Sequence, residues 1–432
     1  MLKKLWITSL ILFSFQAHAA LNIQQWQTTS GAAVYFVENH DLPIVDISTS
    51  FRAGSAQDTA EKSGVAGITQ YLMTLGAGGM NEEQISNQMA DIGAQLGGSA
   101  DEDMSIFKLR TLSSAVEQEK ALKIYTAILQ KPDFPASVLV REKQRILSGL
   151  KEAETQPDSI SDSAFKKAIF GNHPYGLEES GQVATVEKIT VDDLKAFYAK
   201  NYGAKNAVIA MIGDMTRTQA GAIAERISSG LSNAAKINPP ADVVKPTKPI
   251  ETRIAHPATQ AHILLGYPGI KRGDSDFYAL YVGNYILGGG GFVSRLTEEV
   301  REKRGLVYSV YSYFMPMSAV GAFQIGLQTK KEQSDEALKL VRETTDNFIK
   351  GGITEAELKA AKQNIIGGFP MRIDSNAKIL DYLGVIGFYK LPLTYLDEFN
   401  ANISRVSAAQ VKDAFSRRVK PENFVTIVVG GT

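Results

Sequence analysis

One stretch of this chain is written twice, and that repeat limits the folds open to it. Residues 190–215 read TVDDLKAFYAKNYGAKNAVIAMIGDM, and from Ser407 the chain reads SAAQVKDAFSRRVKPENFVTIVVGGT. At a single offset of 217 residues, Thr190 pairs with Ser407, Leu194 with Val411, Asn206 with Asn423 and Gly213 with Gly430. Each copy reads as a helix capped by Thr or Ser, followed by a buried strand of Val, Ile and small residues. A gapless match over this length makes accidental similarity a poor explanation. Two copies of one fold are therefore expected.

Between the copies, Pro239, Pro240, Pro246 and Pro249 disfavour helix and mark an extended linker. The expected division is a first domain over 21–236, a linker over 237–252 and a second domain over 253–432. In the first domain, strands are expected at 32–38, 44–51 and 105–112, with helices from the Asn81 cap to about Leu96, over 114–130 and over 136–154. In the second, strands are expected at 261–267, 307–314 and 321–329, with helices over 275–287, 293–303, 334–350 and 354–365. Strands and helices come in runs, which predicts an α+β fold: two largely antiparallel sheets flanked by helices.

The first 19 residues have the pattern of a secretory leader. Lys3 and Lys4 precede an apolar core over 5–15, too short to span a bilayer, and Ala17-His18-Ala19 supplies a cleavage site. Cleavage after Ala19 and a periplasmic or secreted location are expected. Losing the leader's two lysines moves the formal charge from 0 to −2, which offers nucleic acid no electrostatic footprint. The absence of cysteine excludes disulfides, thiolate chemistry and lipidation of an N-terminal Cys.

Three segments carry the functional reading. Residues 64–76 read GVAGITQYLMTLG; residues 141–176 run from REKQRILSGLKEAE to GNHPYG; residues 287–308 read LGGGGFVSRLTEEVREKRGLVY. Together they resemble the insulinase/pitrilysin-type zinc metallopeptidases, in which the first segment is an H-x-x-E-H helix. There, two imidazoles at i and i+4 hold zinc and the intervening Glu is the base. Here those positions are Gly67, Gln70 and Tyr71. Anchored on Pro157 and on His173 to Gly176, the family's third ligand, a Glu, falls at Ser148, with 76 residues between it and Tyr71. Glycine and serine offer no good ligand here, a Gln amide is no base, and a neutral phenol is a poor zinc ligand. No catalytic zinc is expected in this chain.

The third segment is intact. By the resemblance, Arg301 and Tyr308 reach toward substrate held at the zinc, and Gly288, Gly289, Gly290 and Gly291 form a loop near it. A plain helix-to-helix turn is the other reading of the glycines, and a solvated ion pair with Glu298 or Glu302 the other reading of Arg301. No phosphate-loop pattern follows the glycines. His173 reads as a structural hydrogen-bonder. The resemblance implies a clamshell of repeated domains and a non-zinc subunit. It would lend Arg301 and Tyr308 to a homologous zinc-bearing partner in a heterodimer that cleaves peptides. A purely structural or peptide-binding pseudoenzyme is the alternative, and the Arg301/Tyr308 pair discriminates between the two.

Overall fold

The computed structural model describes residues 21–430. The expected leader lies outside them. None of the described helices is long and apolar enough to cross a membrane.

The first sheet has six strands, in the order Gln24–Gln27, Ala33–Glu38, Ala207–Gly213, Ile44–Phe51, Ser105–Leu112 and Gln95–Ala100. The second has five, in the order Ile250–Ile254, Val425–Val429, Gln260–Pro268, Ala322–Lys330 and Val307–Phe314. Each contains one parallel pairing, at the equivalent place: Ala33–Glu38 with Ala207–Gly213, and Ile250–Ile254 with Val425–Val429. All other pairings in the two sheets are antiparallel. The second sheet thus repeats the first, without a counterpart of Gln24–Gln27. The repeat read from sequence is reproduced element by element. The helices Val191–Asn201 and Ala408–Arg418, and the single turns Ala204–Asn206 and Pro421–Asn423, fall at the same offset. Thr190 and Ser407 both accept a hydrogen bond from the third residue of their helix, which reaches back to complete a capping box.

The two lobes exchange helices. Helix Pro157–Phe170 falls within the first lobe's stretch of sequence but lies on the second sheet, where Phe165 and Ile169 pack with Leu264, Val425 and Ile427. Helix Asn376–Tyr389 does the reverse, seating Ile379, Leu383 and Ile386 against Tyr35, Val37 and Ile212. Neither helix could be assigned a sheet from its own sequence, because an apolar face specifies burial but not the surface that buries it.

Gly387 lies where the second of these helices approaches the first sheet most closely. A Cβ there would sit 2.6 Å from the Tyr35 ring and from a Val208 methyl. At Gly384, one turn earlier, a Cβ would have nothing within 4 Å. The same change should therefore have opposite effects. Gly387→Ala is expected to cost about 1–3 kcal/mol through overpacking. Gly384→Ala should be neutral or stabilise by up to ~1 kcal/mol, since alanine favours helix. Paired urea titrations measure both. Equal midpoints for the two variants would contradict the close approach.

A buried polar node joins the lobes beside this helix. Asp103 accepts hydrogen bonds from the Tyr175 hydroxyl at 2.6 Å, the Tyr389 hydroxyl at 2.9 Å and the Ser318 backbone N–H at 2.7 Å. Tyr175 belongs to the GNHPYG stretch. Its neighbour His173 accepts from the Tyr175 N–H through Nδ1 and donates through Nε2 to the Ala241 carbonyl. His173 therefore makes structural hydrogen bonds and has both ring nitrogens in use.

Three expectations differ from the structure. The helix from Asn81 stops at Asp91, because Gly93 turns the chain at φ 64°, and Gln95–Ala100 is a strand. Ile250–Ile254, at the end of the expected linker, is a strand of the second sheet. The expected helix over 293–303 is a single turn at Gly291–Val293 followed by wide π-helical turns over Thr297–Glu302.

Candidate active site

The segment aligned with the zinc helix is indeed a helix, Val65–Met73. Its start is fixed by Asp58, whose carboxylate accepts from the N–H groups of Gly64 and Ala66 at 2.7 and 3.0 Å. This satisfies donors that a helix N-terminus leaves free. Burial pushes the Asp58 carboxyl up to about 7.

Gly67, Gln70 and Tyr71 border a cavity of about 450 Å³ between this helix, helix Ala136–Ala153 and the end of strand Gln95–Ala100. The Gln70 amide donates to the Ile106 carbonyl at 3.3 Å. The placement of Ser148 needs correction. Its side chain is exposed, and its hydroxyl bonds back to the Gln144 carbonyl at 3.0 Å. The residues of that helix facing the cavity are Ile146, Gly149, Leu150 and Ala153, the i, i+3, i+4 and i+7 spacing of one face. Gly149, not Ser148, is the helix residue opposite Gly67, Gln70 and Tyr71. One residue along a helix turns the side chain by about 100°, a shift that residue counting does not detect.

With either residue as third position, the donor set does not fit a zinc ion. Two glycines bring no ligand, and Gln70 and Tyr71 supply neither imidazole nor carboxylate. Among the described residues, no cluster of three or more His, Cys, Asp or Glu could hold a metal.

Asp101 is a cavity residue that the motifs did not reveal. Its Oδ1 accepts from the N–H groups of Asp103 and Met104, both at 2.8 Å, and burial pushes its carboxyl up to about 6. The run Asp101-Glu102-Asp103 at the end of a strand was its only signal in the sequence.

Arg301 and Tyr308 lie on the second lobe. Tyr308 is the second residue of the edge strand Val307–Phe314, the position that Gln95–Ala100 holds in the first sheet. The Arg301 guanidinium stands 5.6 Å from the Tyr308 ring centroid and 4.8 Å from that of Phe292. The structure thus brings the pair together and adds a third member, Phe292. Cation–π attraction holds the guanidinium between the rings, while its ion pair with Glu302 is long, at 3.7 Å. Tyr308 is 78% exposed and Phe292 69% exposed.

The glycine run divides. Gly288 is buried in a π-helical turn, Tyr285–Gly289, where a Cβ would meet the Ser312 hydroxyl at 2.5 Å. It is a packing residue, not part of a loop. Gly291, at φ 62°, makes the turn that presents Phe292 and Val293 to solvent.

Comparison with known proteins matches this geometry. Residues 34–181 match the family model for insulinase (peptidase family M16), and residues 188–365 match that for the peptidase M16 inactive domain. A crystal structure of a peptidase M16 inactive domain from Pseudomonas fluorescens superposes with a TM-score of 0.92. It is 39% identical and covers 95% of this chain and 98% of its own.

The chain belongs to peptidase family M16.

As an M16 homologue it is also 28% identical, over 99% of its length and 98% of the relative's, to the non-peptidase homolog YmxG of Helicobacter pylori. The periplasmic protease PqqL of Escherichia coli shares the fold, with a TM-score of 0.81 at 14% identity. That likeness covers 95% of this chain and 46% of PqqL, so one PqqL chain is about twice as long as the M16 unit described here.

Proposed function

We propose that this M16 chain is the zinc-free subunit of a two-subunit peptidase that acts outside the cytoplasm. The observation that carries the reading is the contrast between its two lobes. The first has lost every ligand position, while the second keeps Arg301 and Tyr308 side by side and open to solvent.

A homologous partner would supply the zinc and its bound water. Arg301 and Tyr308 would then donate hydrogen bonds to the carbonyl oxygen of the scissile peptide as negative charge develops on it. Donors of this kind act on the transition state more than on the bound substrate. Extended peptides would be held by strand addition to an open sheet edge. The leader pattern supports a periplasmic or secreted location.

The test is reconstitution with an M16 protein from the same genome that carries H-x-x-E-H. Alone, this chain should contain no stoichiometric zinc and cleave no unfolded peptide; cleavage should appear on mixing. One tightly bound zinc per chain, with chelator-sensitive hydrolysis by the chain alone, would refute the proposal.

A further inference from the structure

A second cavity lies beside the first. It measures about 530 Å³ and is bordered by Leu75, Ile85, Met89 and Leu96, with Gly97 and Gly98 on the strand. Gln70 and Tyr71 border both cavities and form the wall between them. Both open along the same outermost strand, Gln95–Ala100: one at Leu96 to Gly98, the other at Ala100 and Asp101. Along the chain the two are separated by two to five residues, roughly 7–17 Å at about 3.3 Å per residue. Side chains two and four residues apart leave a strand on the same face. An extended peptide paired with this edge therefore presents its same-face side chains at the interval that separates the cavities.

The two cavities differ chemically. The one at Leu96 has aliphatic walls at Leu75, Ile85, Met89 and Leu96, and its carboxylate, Glu82, is already paired with Arg141 at 2.6 Å. The vacated metal cavity has aliphatic walls at Ile68, Ile146 and Leu150, but Asp101 at its strand end. Among the described residues, Asp101 Oδ1 is used by two backbone N–H groups and Oδ2 by none. Nearby charge has the same sign. Lys166 bonds Glu102 at 3.0 Å and Glu179 at 2.8 Å, and one ammonium between two carboxylates leaves the surroundings anionic. A long aliphatic stem ending in a cation matches such a site, and only Lys and Arg have that form.

We propose that the space left by the lost metal site is a recognition pocket for a lysine or arginine side chain of a bound extended peptide, with the neighbouring cavity taking an aliphatic side chain two or four residues away. This rests on the strand-addition part of the function proposed above, and not on a catalytic partner. The chain would then have exchanged one use of the site for another, with Gln70 and Tyr71 becoming the partition between two side-chain pockets.

Fluorescence polarisation on the full-length chain tests it. The probes are fluorescein-labelled peptides containing Leu-Thr-Lys or Leu-Thr-Thr-Thr-Lys in a Ser/Thr background, and the same peptides with norleucine in place of lysine. One of the two lysine peptides should bind at least about tenfold more tightly than its norleucine counterpart, which keeps the stem and loses the charge. Asp101→Asn retains an acceptor for the two backbone N–H groups and should abolish that preference without weakening the norleucine peptide. Gly149→Leu fills the cavity from a position where a Cβ has nothing within 4 Å. It should weaken the lysine peptide about tenfold while thermal stability holds or rises, because leucine favours helix over glycine. Equal affinity for lysine and norleucine peptides overturns the proposal and leaves strand addition standing. An unaltered lysine preference in a folded Gly149→Leu chain also overturns it. Failure of every peptide to bind removes strand addition, and this proposal with it.

Discussion

Arg301→Ala and Tyr308→Phe are each expected to lower kcat of the reconstituted enzyme by at least about tenfold, and up to roughly 10²–10³-fold, the range for losing one donor to a developing oxyanion. Assembly should be unaffected. Within its own chain the Arg301 side chain makes a long ion pair and cation–π contacts to two exposed rings, and the Tyr308 ring is largely in solvent, so little of the fold depends on either. Size-exclusion chromatography of the mixed subunits checks assembly, and steady-state hydrolysis checks turnover. Phe292→Ala provides a graded control. It removes one of the two rings flanking the guanidinium while leaving both donors, so its loss should be smaller. If Arg301→Ala and Tyr308→Phe both assemble and turn over at the wild-type rate, the pair is a surface feature. The purely structural reading then takes precedence.

The second large effect concerns helix register. Gly67→His, Gln70→Glu and Tyr71→His restore two imidazoles and a base to helix Val65–Met73, and the third ligand then decides the outcome. Adding Gly149→Glu places a carboxylate on the face that borders the cavity, whereas Ser148→Glu directs it to solvent. The Gly149 quadruple variant is expected to bind zinc at least about tenfold more tightly in equilibrium dialysis, since a catalytic-type site needs three convergent ligands. Neither variant should hydrolyse peptides efficiently, because the groups that orient metal-bound imidazoles are not restored with the ligands. Tighter zinc binding by the Ser148 variant would show that the helix faces the cavity with a different side.

Much of this molecule was legible before any coordinates because its strongest signals are local. Thr190 with Asp193, and Ser407 with Gln410, are capping boxes complete within four residues. The strands Ile44–Phe51, Ser105–Leu112 and Val307–Phe314 have the bounds that their side-chain patterns indicate. What escaped depends on partners distant in sequence. QLGGSA at 95–100 has no apolar alternation and is a strand because Ser105–Leu112 pairs with it. Ile250–Ile254 follows a proline-rich run and is held by Val425–Val429. In the candidate site, the loss of the metal ligands was a matter of residue identity and could be read directly. The side of helix Ala136–Ala153 that faces the cavity depends on rotation, and a count of intervening residues does not specify rotation.

The exchanged helices also determine when this protein can finish folding. The first sheet closes with Ala207–Gly213, yet one of its faces waits for Asn376–Tyr389, more than 150 residues later in the chain. Until that segment has emerged, Tyr35, Val37 and Ile212 have no apolar cover from it. Contacts of such sequence separation form late and leave aggregation-prone surface on the incomplete chain. The first lobe is thereby kept from completing its packing before most of the chain has been made. Helix Asn376–Tyr389, near the end of the chain, is the segment that closes the first lobe.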